Sequence, residues 1–69
     1  MNTNFSKRLK LLRIENNLSQ IELAKALTIT QRRVSYLEQG QTEPDLELLN
    51  KLCDFFDVSA DFILGRKDF

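Results

Sequence analysis

The chain has 69 residues, 42% of them apolar, with ten basic and ten acidic side chains, one cysteine and no histidine. This length holds one domain, and a fold of about 60 residues buries only about 60% of the surface its unfolded chain exposes, so stability is modest and dimerisation is a natural supplement. The totals argue against a disulfide, a metal site, a turn-rich β fold (two glycines, one proline), a membrane-spanning run and a secretory signal, and they point to a reducing cytoplasm.

Residues 1–4 read as a frayed arm. Phe5, Leu9 and Leu12, with Leu11 a marginal member, then recur at helical spacing to about Glu15. Asn16 and Asn17 can end this helix because asparagine tolerates the left-handed conformation, and Leu18 returns the chain to the core. Ser19 followed three residues later by Glu22 is a capping box, which opens a second helix with Ile21, Leu23, Ala24 and Leu27 on its apolar face. Ala24 is small, as a closely crossing helix requires. Thr28, Ile29 and Thr30 break the pattern. Thr30 can cap a third helix, with Val34 and Leu37 facing inward and Gly40 as its left-handed terminator.

Pro44 excludes the helical conformation for Glu43, so residues 41–44 form a loop. Asp45 caps a fourth helix, Glu47 suits its first turn, and Leu46, Leu49, Leu52, Cys53 and Phe56 supply its inner face. Asp57 ends it and Val58 plugs the core. Ser59 caps a short fifth helix holding Phe62, Ile63 and Leu64, Gly65 stops it, and residues 66–69 form a tail. The expected class is all-α: five short helices around one core, a single domain over residues 1–69 with flexible ends at 1–4 and 66–69.

The charges are unevenly placed. Residues 1–40 carry seven basic side chains against three acidic ones, and residues 41–69 carry three basic against seven acidic. A molecule so polarised can present a positive face to a polyanion, whereas the bland alternative is that both halves are simply solvated. The outward face of the third helix carries Gln31, Arg32, Arg33, Ser35, Tyr36 and Gln39. No acid joins them until Glu38, which lies toward the inner side. Long amides, guanidiniums and a phenol suit phosphates and base edges. Nothing supports catalysis: the carboxylates are not paired across a pocket, no nucleophile sits beside a base, and there is no glycine-rich phosphate loop. Cys53 lies among apolar positions and reads as a small buried hydrophobe. The chain is therefore expected not to be an enzyme, and to need no cofactor, metal or small-molecule substrate.

The stretches SQIELAKAL, VSYLEQG and EPDLELLNKLCDFFDVSADFIL resemble the Cro/cI-type (xenobiotic-response-element) helix-turn-helix family of phage and bacterial repressors. The resemblance covers about residues 5–64. Ala24 matches the motif's small residue, and Leu23, Leu27, Ile29, Val34 and Leu37 fill its five apolar positions. Thr28 stands where the family usually has glycine. Either the backbone there has positive φ and the β-branched residue is strained by about 1–2 kcal/mol, or the turn is remodelled.

The resemblance implies a compact, lambda-repressor-like five-helix DNA-binding domain with the helix-turn-helix at helices two and three. It makes residues 31–39 the recognition helix, with Gln31, Arg32 and Tyr36 at base-contacting positions and Arg33 and Ser35 flanking them. Gln20 matches a position that touches the DNA backbone and braces the base readers, and Thr30 joins this DNA-binding set. Arg8, Lys10 and Thr42 are lesser phosphate candidates. The loop Gln41-Thr42-Glu43 lacks the family's frequent basic residues. Arg13 and Glu38 match a partly buried structural ion pair. The dimer face is expected at the end of the fourth helix and the fifth, with Phe55, Ile63 and Phe69 as candidates. The implied function is a sequence-specific transcriptional regulator, a repressor binding double-stranded DNA as a homodimer on a pseudo-palindromic operator, with no membrane partner. The alternative is a protein-interaction module on the same fold, an antitoxin or anti-repressor partner, in which a protein takes the place of DNA.

Overall fold

A computed structural model describes residues 3–68. It contains five α-helices: α1 (Thr3–Glu15), α2 (Gln20–Leu27), α3 (Gln31–Glu38), α4 (Leu46–Phe56) and α5 (Ala60–Ile63). The α2 and α3 helices pack against each other, α1 lies across α3, α4 meets α2, and α5 closes the far end against α1 and α4. Among the described residues, no helix is long and apolar enough to cross a membrane.

Each helix from α2 onward starts on a side-chain cap. Ser19 accepts from the Glu22 amide, Thr30 from Arg33, Asp45 from Leu48 and Ser59 from Phe62, at 2.8–3.1 Å. At α2 the box is reciprocal, since the Ser19 amide donates to the Glu22 carboxylate at 2.8 Å. That bond, followed by the one to the Ser19 hydroxyl, holds the Glu22 carboxyl below its ordinary pKa.

All five helices close in the same way. Asn17, Thr28, Gly40, Asp57 and Gly65 have φ between 56° and 78°. The amide of the next residue then donates five residues back: Leu18 to Arg13, Ile29 to Ala24, Gln41 to Tyr36, Val58 to Cys53 and Arg66 to Asp61. This six-to-one bond around a left-handed residue satisfies carbonyls that the helix leaves free, and an apolar residue just beyond it commonly turns inward. Leu18, Ile29 and Val58 do so, each packing against the core.

Thr28 resolves the choice left open by the sequence. Its φ is 60°, so the turn keeps the left-handed geometry with a β-branched residue in it. Its side chain is exposed and makes no core contact that a glycine would forfeit. Thr28→Gly is therefore expected to stabilise the fold by about 0.5–1 kcal/mol, after the greater freedom of glycine in the unfolded chain is set against the relieved strain. Thermal unfolding should show the midpoint rising by about 3–6 °C.

The core holds Phe5, Leu9, Leu12, Leu23, Ala24, Leu27, Val34, Leu37, Leu48, Leu52 and Ile63. Five expectations change. Thr3 and Asn4 belong to α1 rather than to an arm. Leu11 is exposed. Ile21 is 55% exposed, because two residues before Leu23 is nearly the opposite side of a 3.6-residue turn. Leu46 is 79% exposed and Leu48 is buried in its place, since the inner stripe of α4 runs through Leu48, Leu49, Leu52 and Phe56. The tail at residues 66–68 is also not loose. The Arg66 and Lys67 amides donate to the Asp61 carbonyl, and the Arg8 guanidinium donates to the Lys67 carbonyl. A Cβ on Gly65 would stand 2.4 Å from that of Asn4, so glycine is what lets this corner close on α1. Residues 1, 2 and 69 lie outside the described residues.

Cys53 is half-buried, and burial, followed by the neighbouring Asp54 charge, pushes its thiol pKa up. A raised thiol pKa is the opposite of what a reactive cysteine needs.

Candidate nucleic-acid interface

The third helix divides into two faces. Val34 and Leu37 anchor it in the core, and the side chain of Glu38 points the same way, only 3% exposed. An isolated buried carboxylate would be costly, and here it is paired. Arg13, from α1, donates to both its oxygens, Nε to Oε2 at 2.6 Å and Nη2 to Oε1 at 3.0 Å. The remaining Arg13 nitrogen donates to the Leu18 carbonyl at 2.9 Å. The hydrogen bond to Glu38 is the main reason the Arg13 pKa rises, against the opposing effect of burial. The expected Arg13–Glu38 pair is thus present, joining α1 to the end of α3.

The opposite face turns to solvent. Gln31 and Arg32 are exposed, Arg33, Ser35 and Tyr36 are half-buried, and no acid lies among them. Arg32 Nε donates to the Tyr36 hydroxyl at 2.9 Å, and its guanidinium carbon stands 5.3 Å from the Tyr36 ring centre. The two side chains one turn apart therefore form a single stacked unit. Ser35 accepts from Gln39 at 3.0 Å. Gln31 donates to Gln20 at 2.8 Å, which brings the first residue of α2 to the first of α3. Gln20 in turn donates to Glu38 at 3.2 Å. The sequence showed no sign of this last contact; the only available hint was that Glu38 faces inward.

Two cations are less free than the sequence suggests. Arg33 stands 3.8 Å from the Asp45 carboxylate, a partly exposed pair of small energy that still lowers the local positive potential. Arg8 lies 4.5 Å over the Phe62 ring and also meets Asp68 at 3.3 Å, so it ties α1 to the C-terminal end instead of standing ready for a phosphate. Lys10 is exposed, Thr42 is half-buried after α3, and Thr30 has its hydroxyl engaged as the cap of α3.

The expected dimer residues separate. Phe55 is 44% exposed, its ring edge-on to Phe56 with centres 5.0 Å apart. Ile63 is fully buried in the core and cannot form an interface, because the single inward position of a four-residue α5 is taken up by packing on α1 and α4. Phe69 lies outside the described residues.

Comparison with known proteins fits this geometry. A helix-turn-helix family profile matches residues 9–63. The chain is 42% identical over 60 residues to a protein of Bacillus subtilis (strain 168), described as the SPbeta prophage-derived uncharacterized HTH-type transcriptional regulator YonR; the match covers 87% of this chain and 56% of that protein. The chain thus spans about half the length of such curated relatives. Among solved structures, the clp gene regulator ClgR from Corynebacterium glutamicum superposes with a TM-score of 0.82 at 26% identity, covering 93% of this chain and 68% of ClgR. The restriction-modification controller protein C.AhdI from Aeromonas hydrophila superposes with a TM-score of 0.79 at 30% identity, covering 88% of this chain and 92% of C.AhdI. With the matched segment running from α1 to α5 and the α2–α3 pair set as described, the chain belongs to the Cro/cI-type helix-turn-helix family.

Proposed function

We propose that this chain is a sequence-specific DNA-binding transcriptional regulator, a repressor that acts in the cytoplasm as a homodimer and without catalysis. The observation that carries the reading is the acid-free outward face of α3, where Gln31, Arg32, Ser35 and Tyr36 stand clear of the core while the one acid of the helix is buried against Arg13. In the major groove, a glutamine amide pairs with adenine and a guanidinium with guanine. The free amides at the N-termini of α2 and α3 suit flanking phosphates, with Gln20, Thr30 and Arg33 beside them and Lys10 and Thr42 further out.

The molecule measures 28 × 23 × 21 Å, so two copies side by side match half-sites about 34 Å apart. Phe55, exposed at the end of α4, is the remaining described candidate for the dimer face. Bound over a promoter, such a dimer excludes polymerase.

The test is selection from random duplex DNA by the purified protein at fixed, near-physiological salt, because phosphate contacts make affinity steeply salt-dependent. The expected result is an enriched inverted repeat with centres about one helical turn apart. An enriched single half-site would overturn the dimer. No enrichment would overturn DNA binding and leave the protein-interaction module as the reading to pursue.

A further inference from the structure

The contacts around Glu38 form one chain of polar groups running from the core to the surface: Arg13, Glu38, Gln20, Gln31. Its direction is fixed by chemistry. An ionised carboxylate only accepts hydrogen bonds. The Gln20 atom 3.2 Å from Glu38 Oε1 must therefore be the amide nitrogen, which turns the Gln20 carbonyl oxygen toward Gln31. That oxygen also only accepts, so the Gln31 atom 2.8 Å away must be its amide nitrogen. One hydrogen of that nitrogen is used on Gln20. What Gln31 presents outward is its carbonyl oxygen and its second N–H, one acceptor beside one donor.

This orientation bears on base recognition. In the major groove adenine shows an N7 acceptor and an N6 donor, the complement of one donor and one acceptor, whereas guanine shows two acceptors, N7 and O6. Were the chain reversed, the Gln20 nitrogen would face Gln31, the Gln31 oxygen would be used on it, and two N–H groups would point outward, which suits guanine. The reversed chain would also set the Gln20 carbonyl against the Glu38 carboxylate, two acceptors in contact. Arg13 holds both Glu38 oxygens and so fixes the carboxylate that makes this choice.

We infer that Glu38 is a positioning residue for base recognition: acting through Gln20, it locks the Gln31 amide in the orientation that accepts adenine and refuses guanine. This deepens the DNA-binding reading and rests on it. The buried pair then has two roles, one in holding α1 to α3 and one in setting which base Gln31 selects.

The experiment compares base frequencies after selection from random duplex DNA by the wild type and by Gln31→Ala, Gln20→Met and Glu38→Gln. The position whose preference vanishes in Gln31→Ala identifies the base pair that Gln31 meets. There the wild type should favour adenine over guanine by about 10- to 100-fold, the range of a good bidentate pair. Gln20→Met, which leaves the Arg13–Glu38 pair intact and keeps the length of the side chain, should cut that preference to about twofold and leave the other positions unchanged, because the Gln31 amide is then free to turn over. Glu38→Gln should do the same, since a neutral amide can face Gln20 either way. It also leaves Arg13 without its counter-charge, so Gln20→Met carries the test independently of folding.

A purely structural role for Glu38 would lower affinity at every position alike and leave the adenine-to-guanine ratio in place. An unchanged ratio in Gln20→Met, a uniform loss across positions, or a base other than adenine opposite Gln31 overturns the inference while DNA binding stands. A wild type that enriches no sequence overturns the DNA-binding reading and the inference with it.

Discussion

Glu38→Ala is expected to destabilise the fold by about 3–5 kcal/mol, because it leaves the Arg13 guanidinium buried without a counter-charge. The side chains are 12% and 3% exposed, so water can replace little of what either partner loses. A domain of this size holds a total stability of only about 3–10 kcal/mol, so the single substitution removes most of it. Arg13→Ala should cost a similar amount, since it strands the carboxylate. The double substitution should cost less than either single one, because no charge is then left buried. Urea unfolding followed by circular dichroism on the wild type, both single variants and the double variant checks this. A double variant whose loss is the sum of the two single losses would show that the partners act separately and that the pair is not a unit.

The second large effect falls on DNA. Arg32→Ala should weaken operator binding by about 5- to 150-fold, the range of a bidentate guanidinium–guanine pair worth about 1–3 kcal/mol, and should erase the preference at one base pair. Arg32 is exposed and its described partner is Tyr36 on the same helix, so unfolding stability should move by less than about 0.5 kcal/mol. Titration of the selected operator and of a scrambled duplex at several salt concentrations separates the outcomes. Equal weakening on both duplexes, with the salt slope reduced by about one, would mean that Arg32 holds a phosphate and reads no base. No change on either would remove α3 from the contact surface.

Much of this architecture is written in short-range signals. The four side-chain caps and the five helix stops were all legible because capping is a local bargain between a side chain and amides two or three residues away. The outward face of α3 was legible for a similar reason, since two apolar anchors, Val34 and Leu37, fix the rotation of the whole helix. Where the reading failed, the apolar residues outnumbered the inward positions. α4 has Leu46, Leu48, Leu49 and Leu52 within seven residues, and only the neighbouring helices decide which of them are covered. Ile63 was assigned to the surface because a four-residue helix has too little periodicity to show its inner side. Arg8 and Arg33 looked free because their partners, Phe62 and Asp45, lie far along the chain. The bond from Gln20 to Glu38 joins residues 18 apart on two helices, and no pattern of residue types announces it.

The shared way of ending helices also limits where this chain can change length. Leu18, Ile29 and Val58 each terminate one helix by an amide bond while filling part of the core, and three to four residues separate the helices at those points. An inserted or deleted residue there would break the bond and pull the plug from the core together. Only the segment between α3 and α4, residues 39–45, has length to spare, and past Gln41 its backbone makes no such closure until Asp45 caps α4. Extra residues are therefore best accommodated just after the recognition helix, so a longer arm reaching along the DNA could be grafted at residues 42–44 without disturbing the packing beneath it.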